Sequence, residues 1–165
     1  MSEAERGICR YCGADLIDWQ RVHRRNLGDA AFVFESLKYE LVRHHYWHKS
    51  IDLKAMNHAR RKGRQGLREA ARHRLKKYTA PQHPFRDGMQ TPWEGNVIFY
   101  AQHALACCCR TCLEYWHGIP KGVELSDEEL DYLVELMMMY VDDRMPDLTE
   151  RGEKVPPIRR TARAS

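Results

Sequence analysis

The chain reads as mainly α: a single compact helical domain with an N-terminal zinc knuckle packed on a Cys-rich helix. Three observations predict this. Apolar residues recur at three- and four-residue spacing in most segments between turn signals. Capping residues and Gly or Pro stops punctuate those segments. The six cysteines fall in only two places, Cys9 and Cys12 near the start, and Cys107, Cys108, Cys109 and Cys112 far downstream. Each place holds a C-x2-C pair, Cys9-Arg10-Tyr11-Cys12 and Cys109-Arg110-Thr111-Cys112. A two-residue spacer lets both thiolates of one turn reach one ion, so zinc is the expected cofactor and Cys9, Cys12, Cys109 and Cys112 its expected ligands. Such a site would close the N-terminal hook on the C-terminal half and make folding and metal binding one event.

The elements follow in order. After the first pair, Gly13 supplies the permissive backbone a knuckle needs, and Leu16, Ile17 and Trp19 read as a short strand or an apolar prop. Asp29 caps a helix expected to run to about His48, with Phe34, Leu37 and Leu41 inward. Ser50 caps the next, from Ile51 to about Lys62, with Leu53, Met56 and Ala59 inward. Gly63 and Gly66 predict a break or kink before a further helical piece, Leu67 to Tyr78. Residues 79–96 hold three prolines, two glycines and Asn/Asp turn formers, and read as one irregular loop. Val97 to His117 reads as mostly helical, stopped by Gly118 and Pro120. Ser126 and Glu129 form a capping box for a last helix to about Arg144, with Leu130, Leu133, Val134, Met137 and Val141 inward and Pro146 ending it. Residues 1–26 then form the hook, 27–148 the helical domain, and 149–165 a basic tail expected to be flexible.

A formal net charge of +4 hides an asymmetry. Residues 54–77 carry ten Lys/Arg against one acid, Glu69, whereas residues 124–153 carry eleven acids against Arg144 and Arg151. No run of eighteen apolar residues exists, and the start lacks an apolar core with a cleavage site, so neither a membrane span nor a signal peptide is expected. Clustered C-x2-C pairs in a reducing compartment bind metal more often than they form disulfides, and a cytoplasmic location is expected.

Several constellations can carry chemistry. Four thiolates on zinc make a closed, inert site, which is the preferred reading. A competing set draws on His103, Cys109, Cys112 and His117, and Cys108 can replace Cys109 in either; otherwise Cys107 and Cys108 read as core residues. His44 and His48, four residues apart on one helical face, have chelating spacing, although a partly buried aromatic helix end is the blander alternative. Arg60, Arg64, Arg68, Arg72 and Lys76 recur every fourth residue, and Arg61, Lys62, Arg74 and Lys77 broaden that face. Such a stripe suits a phosphate backbone, DNA or RNA, unless the acidic helix serves as its intramolecular partner. Enzymatic readings centre on Cys108 or Cys109 with His103 or His117, with Arg110 beside them and Asp87 and Asn96 contributing; a zinc-stapled HNH-type nuclease is one version.

Lys62-Gly63, Ala80-Pro81, the run Asp87 to Pro92 (DGMQTP), Ala101-Gln102-His103-Ala104, Cys108 to Cys112 (CCRTC) and Trp116 to Pro120 (WHGIP) stand together over about residues 62–140. By these motifs the chain resembles a family of small bacterial proteins catalogued only as a domain of unknown function. The resemblance implies that His103, Cys108, Cys109, Cys112 and His117 form a self-contained centre, with the N-terminal pair an addition. It brings no activity with it. The expectation is a zinc-stabilised cytoplasmic protein that binds nucleic acid through the basic face. The alternatives are a metal- or thiol-dependent enzyme centred on residues 103–117 and a protein-binding adaptor.

Overall fold

The computed structural model describes residues 7–9, 11–15 and 17–159, with Leu41 by its backbone alone. Among these residues the chain is helical: α1 (Trp19–His23), a 3-10 turn (Leu27–Asp29), α2 (Ala30–Tyr39), α3 (Leu41–Trp47), α4 (Leu53–Tyr78), α5 (Val97–Ala104), α6 (Arg110–Cys112), a π-helical turn (Leu113–His117) and α7 (Asp127–Arg144). The only extended pairing described is two isolated antiparallel bridges, Ile8 with Asp15 and Cys9 with Glu40. No described helix is long and apolar enough to cross a membrane.

α7 is the central helix, packed against α2, α4 and α5. Its capping box forms as expected: Ser126 Oγ accepts from Glu129 N–H at 3.1 Å, and Glu129 Oε2 accepts from Ser126 N–H at 3.0 Å. The expected stripe is buried, and so are Tyr132, Leu136, Met138 and Tyr140, leaving this helix apolar on most of its circumference. Trp47 and Trp116 are the largest fully buried side chains, and full burial of an apolar side chain contributes roughly 1.5–3 kcal/mol.

The single helix expected up to His48 is two. Glu40 takes an extended backbone, φ −67° and ψ 145°, and its Oε2 accepts the N–H groups of Val42 and Arg43 at 2.9 and 2.7 Å, which makes it the N-cap of α3. A glutamate rarely caps, and its pairing with Cys9 holds it there. Likewise the cap of α4 is Asp52 rather than Ser50. Its carboxylate collects Ala55 N–H, the Tyr100 hydroxyl and Gly95 N–H at 2.9, 2.8 and 2.7 Å, tying the start of α4 to α5 and the long loop. Trp19, expected in a strand or prop, begins α1, where its ring lies 5.5 Å from Trp116 and seats the N-terminal segment on the π-helical turn.

The break in α4 falls at Gly63, with φ 72° and ψ 170° inside an otherwise continuous helix. That conformation is open essentially to glycine alone. The chain after α7 returns here: Arg64 N–H donates to Thr149 O at 2.8 Å, Gln65 N–H to Glu150 O at 3.1 Å, and Glu153 N–H to Arg60 O at 2.9 Å. Residues 149–153 therefore act as a strap that satisfies the backbone groups freed by the break.

Candidate metal centre

α5 ends at Ala104, and Ala106 turns the chain in the left-handed region, φ 55°, before the Cys run. Buried Gln102 stabilises that turn. Its Nε2 donates to Cys107 O at 3.2 Å, its backbone carbonyl accepts Cys107 N–H at 2.9 Å, and its Oε1 accepts from Arg74 Nε at 3.0 Å. Thr91 Oγ1 donates to Cys108 O at 2.8 Å and pins the long loop to the same segment.

This scaffold gathers three thiols. The Sγ atoms of Cys108, Cys109 and Cys112 all lie within 4.8 Å of one another, with Cys108 and Cys112 at 3.4 Å. Cys108 and Cys109 are buried and Cys112 is half-buried. Cys109 is the thiolate of the group. Hydrogen bonds from the Cys108 and Cys112 thiols, joined by the N–H groups of Cys112 and Thr111, hold it far below the ordinary thiol range against the opposing effect of burial. Cys107 points elsewhere in chemical terms: fully buried, its thiol is pushed well up by desolvation and packs with the core. The Arg43 guanidinium lies near enough to favour the thiolates of Cys112 and Cys107. It is itself buried, donating to His103 O at 2.6 Å between the rings of Tyr46 and Trp116.

The ligand set differs from the expected one. Cys108, read as a core residue, belongs to the group because the turn at Ala106 puts it one helical turn from Cys112. Cys9 and Cys12 do not join the group among the described residues; they sit beside Glu40 at the start of α3. Neither histidine of the competing set joins it either. His117, fully buried, donates from Nε2 to Leu105 O at 2.8 Å and meets the Tyr132 hydroxyl through Nδ1 at 3.3 Å, so both ring nitrogens have protein partners. His103 donates from Nε2 to Pro92 O at 3.1 Å and stacks on Trp93, centroids 3.8 Å apart and planes 7° off parallel. Burial, the largest influence, lowers the pKa of each.

Cys108 and His103 nonetheless face one cavity of about 240 Å³, completed by Gly88, Met89, Thr91, Pro92 and Trp93. Trp93 is 52% exposed and also stacks on Tyr46, so the opening is aromatic. Neither Trp93 nor Thr91 as a Cys-run partner was singled out beforehand; the DGMQTP run followed by Trp93 was the available signal. Asp87 and Asn96 have structural partners. Asp87 Oδ1 accepts Arg110 N–H at 2.9 Å and Gln90 Nε2 at 3.0 Å, and Asn96 caps α5 through Ile98 N–H at 3.0 Å. Arg110, 1% exposed, directs its guanidinium not at a thiol but at five carbonyls, those of Thr79, Ala80, Pro81, Pro120 and Val123.

The basic stripe faces the acidic helix. Arg64 forms a bidentate pair with Asp142 at 2.7 and 2.8 Å, Arg68 meets Glu135 at 3.0 Å, and Arg72 meets Asp127 at 3.0 Å and also Asp131. Arg74 turns inward to Gln102 and Gln90, and Arg61 reaches the carbonyls of Val155 and Pro156. Arg61, Lys62, Lys76 and Lys77 are exposed, and Arg60 is partly so.

No solved structure matches the chain. A family model spans everything from α2 to the acidic helix, including the three thiols, the cavity and both ion-paired helices, a wider stretch than the sequence motifs alone delimited. The model is that described as Domain of unknown function (DUF4186); it matches residues 31–142, more than half of the chain, and the chain belongs to that family.

Proposed function

We propose that the protein is a zinc-thiolate protein in which Cys108, Cys109 and Cys112 hold the ion and a fourth position is left for a small ligand entering from the cavity beside Cys108. The observation that carries this reading is the mutual approach of three sulfurs, one of them a stabilised thiolate. Thiolate sets select soft or borderline ions, and three protein ligands with an open position are the pattern of reactive rather than closed zinc sites. Three thiolates exceed the charge of the ion by one, and Arg43 supplies the compensating cation. Zinc bound there would act as a Lewis acid on the entering group; the chain's own part is to hold the sulfurs through Gln102 and Thr91 and to wall the approach with Trp93 and His103.

Zinc analysis by elemental mass spectrometry tests this. Cys109→Ser is expected to lose one zinc per chain relative to the parent, and Cys107→Ser to keep it; equal zinc in parent and Cys109→Ser overturns the reading. Nucleic-acid binding is the second reading. Its support is Arg61, Lys62, Lys76 and Lys77 on the surface of α4, while three arginines of the stripe already have carboxylate partners.

A further inference from the structure

The N-terminal C-x2-C and the histidine pair of α3 take no part in the three-thiol centre, and the fold brings these two leftovers together. We propose that Cys9, Cys12, His44 and His48 form a second, structural zinc site that fastens the N-terminal turn to α3. Two thiolates and two imidazoles are a common tetrahedral set for a closed zinc, and the local spacings, C-x2-C and H-x3-H, are those such sites use.

The turn already has the shape of a ligating knuckle. Cys9 N–H donates to Ala14 O at 2.8 Å, Gly13 N–H returns to Cys9 O at 3.1 Å, and Gly13 takes φ 71° to close the turn. The N–H of Tyr11 points at Cys9 Sγ, 3.4 Å away, as the amides after Cys109 point at its sulfur. The antiparallel bridge of Cys9 with Glu40 then sets this turn at the cap of α3. His44 follows Glu40 by four residues, about 6 Å along the helix, and His48 by another turn.

The imidazoles are turned the right way. His44 Nε2 faces the knuckle and lies 3.0 Å from the hydroxyl of Tyr11, the residue between the two cysteines, with the rings edge to face at 5.3 Å. His48 Nδ1 donates to His44 O at 2.9 Å, which fixes its tautomer and leaves the Nε2 lone pair for a metal, the backbone-carbonyl support that zinc-bound histidines commonly have. The two rings are 4.1 Å apart, centroid to centroid. Binding exchanges the exposed Tyr11–His44 hydrogen bond for the ion and releases the two thiol protons to solvent. The histidines lie inside the family match and the cysteines before it, so the site would join the segment that precedes the match to the matched domain.

The test is zinc content of the full-length chain. With both centres loaded the parent carries two zinc ions, and a Cys108→Ser/Cys109→Ser/Cys112→Ser variant keeps one. Adding His48→Asn, an exposed position, or Cys12→Ser removes the remaining ion. X-ray absorption of that triple variant is expected to show two sulfurs at about 2.3 Å and two nitrogens at about 2.0 Å. Zinc unchanged by His48→Asn, or a sulfur-only first shell, overturns the proposal. If the triple variant does not fold, His48→Asn in the otherwise intact chain decides: a fall of one zinc supports the site, and no fall sinks it. Failure of the three-thiol reading reads out separately, as a triple variant with the same zinc as the parent.

Discussion

At the scale of single residues, His117 shows how burial turns a candidate catalyst into a structural part. It was a natural suspect, five residues beyond a C-x2-C, yet its Nε2 proton is held by Leu105 O and its Nδ1 by the Tyr132 hydroxyl. Desolvation lowers its pKa to about 4 from the ordinary 6.5. The unfolded chain then binds the extra proton first as pH falls, so the stabilising contribution is complete above about 6.5 and drains away towards pH 4. Two and a half units correspond to about 3 kcal/mol. His117→Gln, which can keep the donor to Leu105 O, is expected to flatten the loss of stability between pH 6.5 and 4, measured by denaturant unfolding; an unchanged slope would mean that other groups set it. The spacing of His117 from the cysteines was legible in the sequence. Its orientation was not, because Gly118 at φ 65° and the π-helical turn aim the ring into the core, away from the thiols. Cys108 was misread for the same kind of reason: a Cys-Cys-Arg pattern does not disclose the left-handed turn at Ala106 that presents its sulfur.

At the scale of elements, α4 and α7 illustrate what periodicity can and cannot settle. The four-residue recurrence of Arg64, Arg68 and Arg72 predicted one charged face, and that face exists. Its partner lay 55 to 78 residues away in sequence, where pattern reading does not reach. Both the stripe and the acidic segment were visible; their apposition needed the packing of α7 across α4. Exposed ion pairs contribute little individually, about 0–1 kcal/mol each, but like charges brought into the same array repel. Arg68→Glu is therefore expected to lower stability by about 1 kcal/mol, and the exchange Arg68→Glu/Glu135→Arg to recover most of it. Thermal melts at low and high salt check this, since screening should shrink both effects. No recovery in the exchanged pair would show that the two side chains act through other neighbours. Helix starts taught a related lesson. Ser126 caps α7 because no stronger acceptor competes, whereas Ser50 loses to Asp52, whose carboxylate can take three donors at once.

At the scale of the whole molecule, the fold is a helical core around α7 closed by chain segments that return to it. The segment read as a free basic tail begins as the strap across α4, and Gly63 and Gly152 permit the approach. A Cβ on Gly63 would come within 2.5 Å of the backbone of Arg151 and Gly152, and one on Gly152 within 1.8 Å of Arg61 O. The glycine break itself was legible in the sequence; what fills it was not, since a hydrogen bond from strap to helix has no side-chain signature. Because the amides of Arg64 and Gln65 have no helical acceptor at the break, the strap's carbonyls decide whether the lower half of α4 stays ordered. Ending the chain after Leu148 is thus expected to lower the melting temperature and to speed hydrogen exchange at Arg64 and Gln65 by at least tenfold, about 1.4 kcal/mol of local opening energy. Gly152→Ala, which keeps the strap but blocks its seat, should reproduce the same exchange signature in the full chain. Slow exchange at both amides in either variant would mean that the break is satisfied without the strap, and the return of the chain to α4 would then be a consequence of the fold rather than one of its supports.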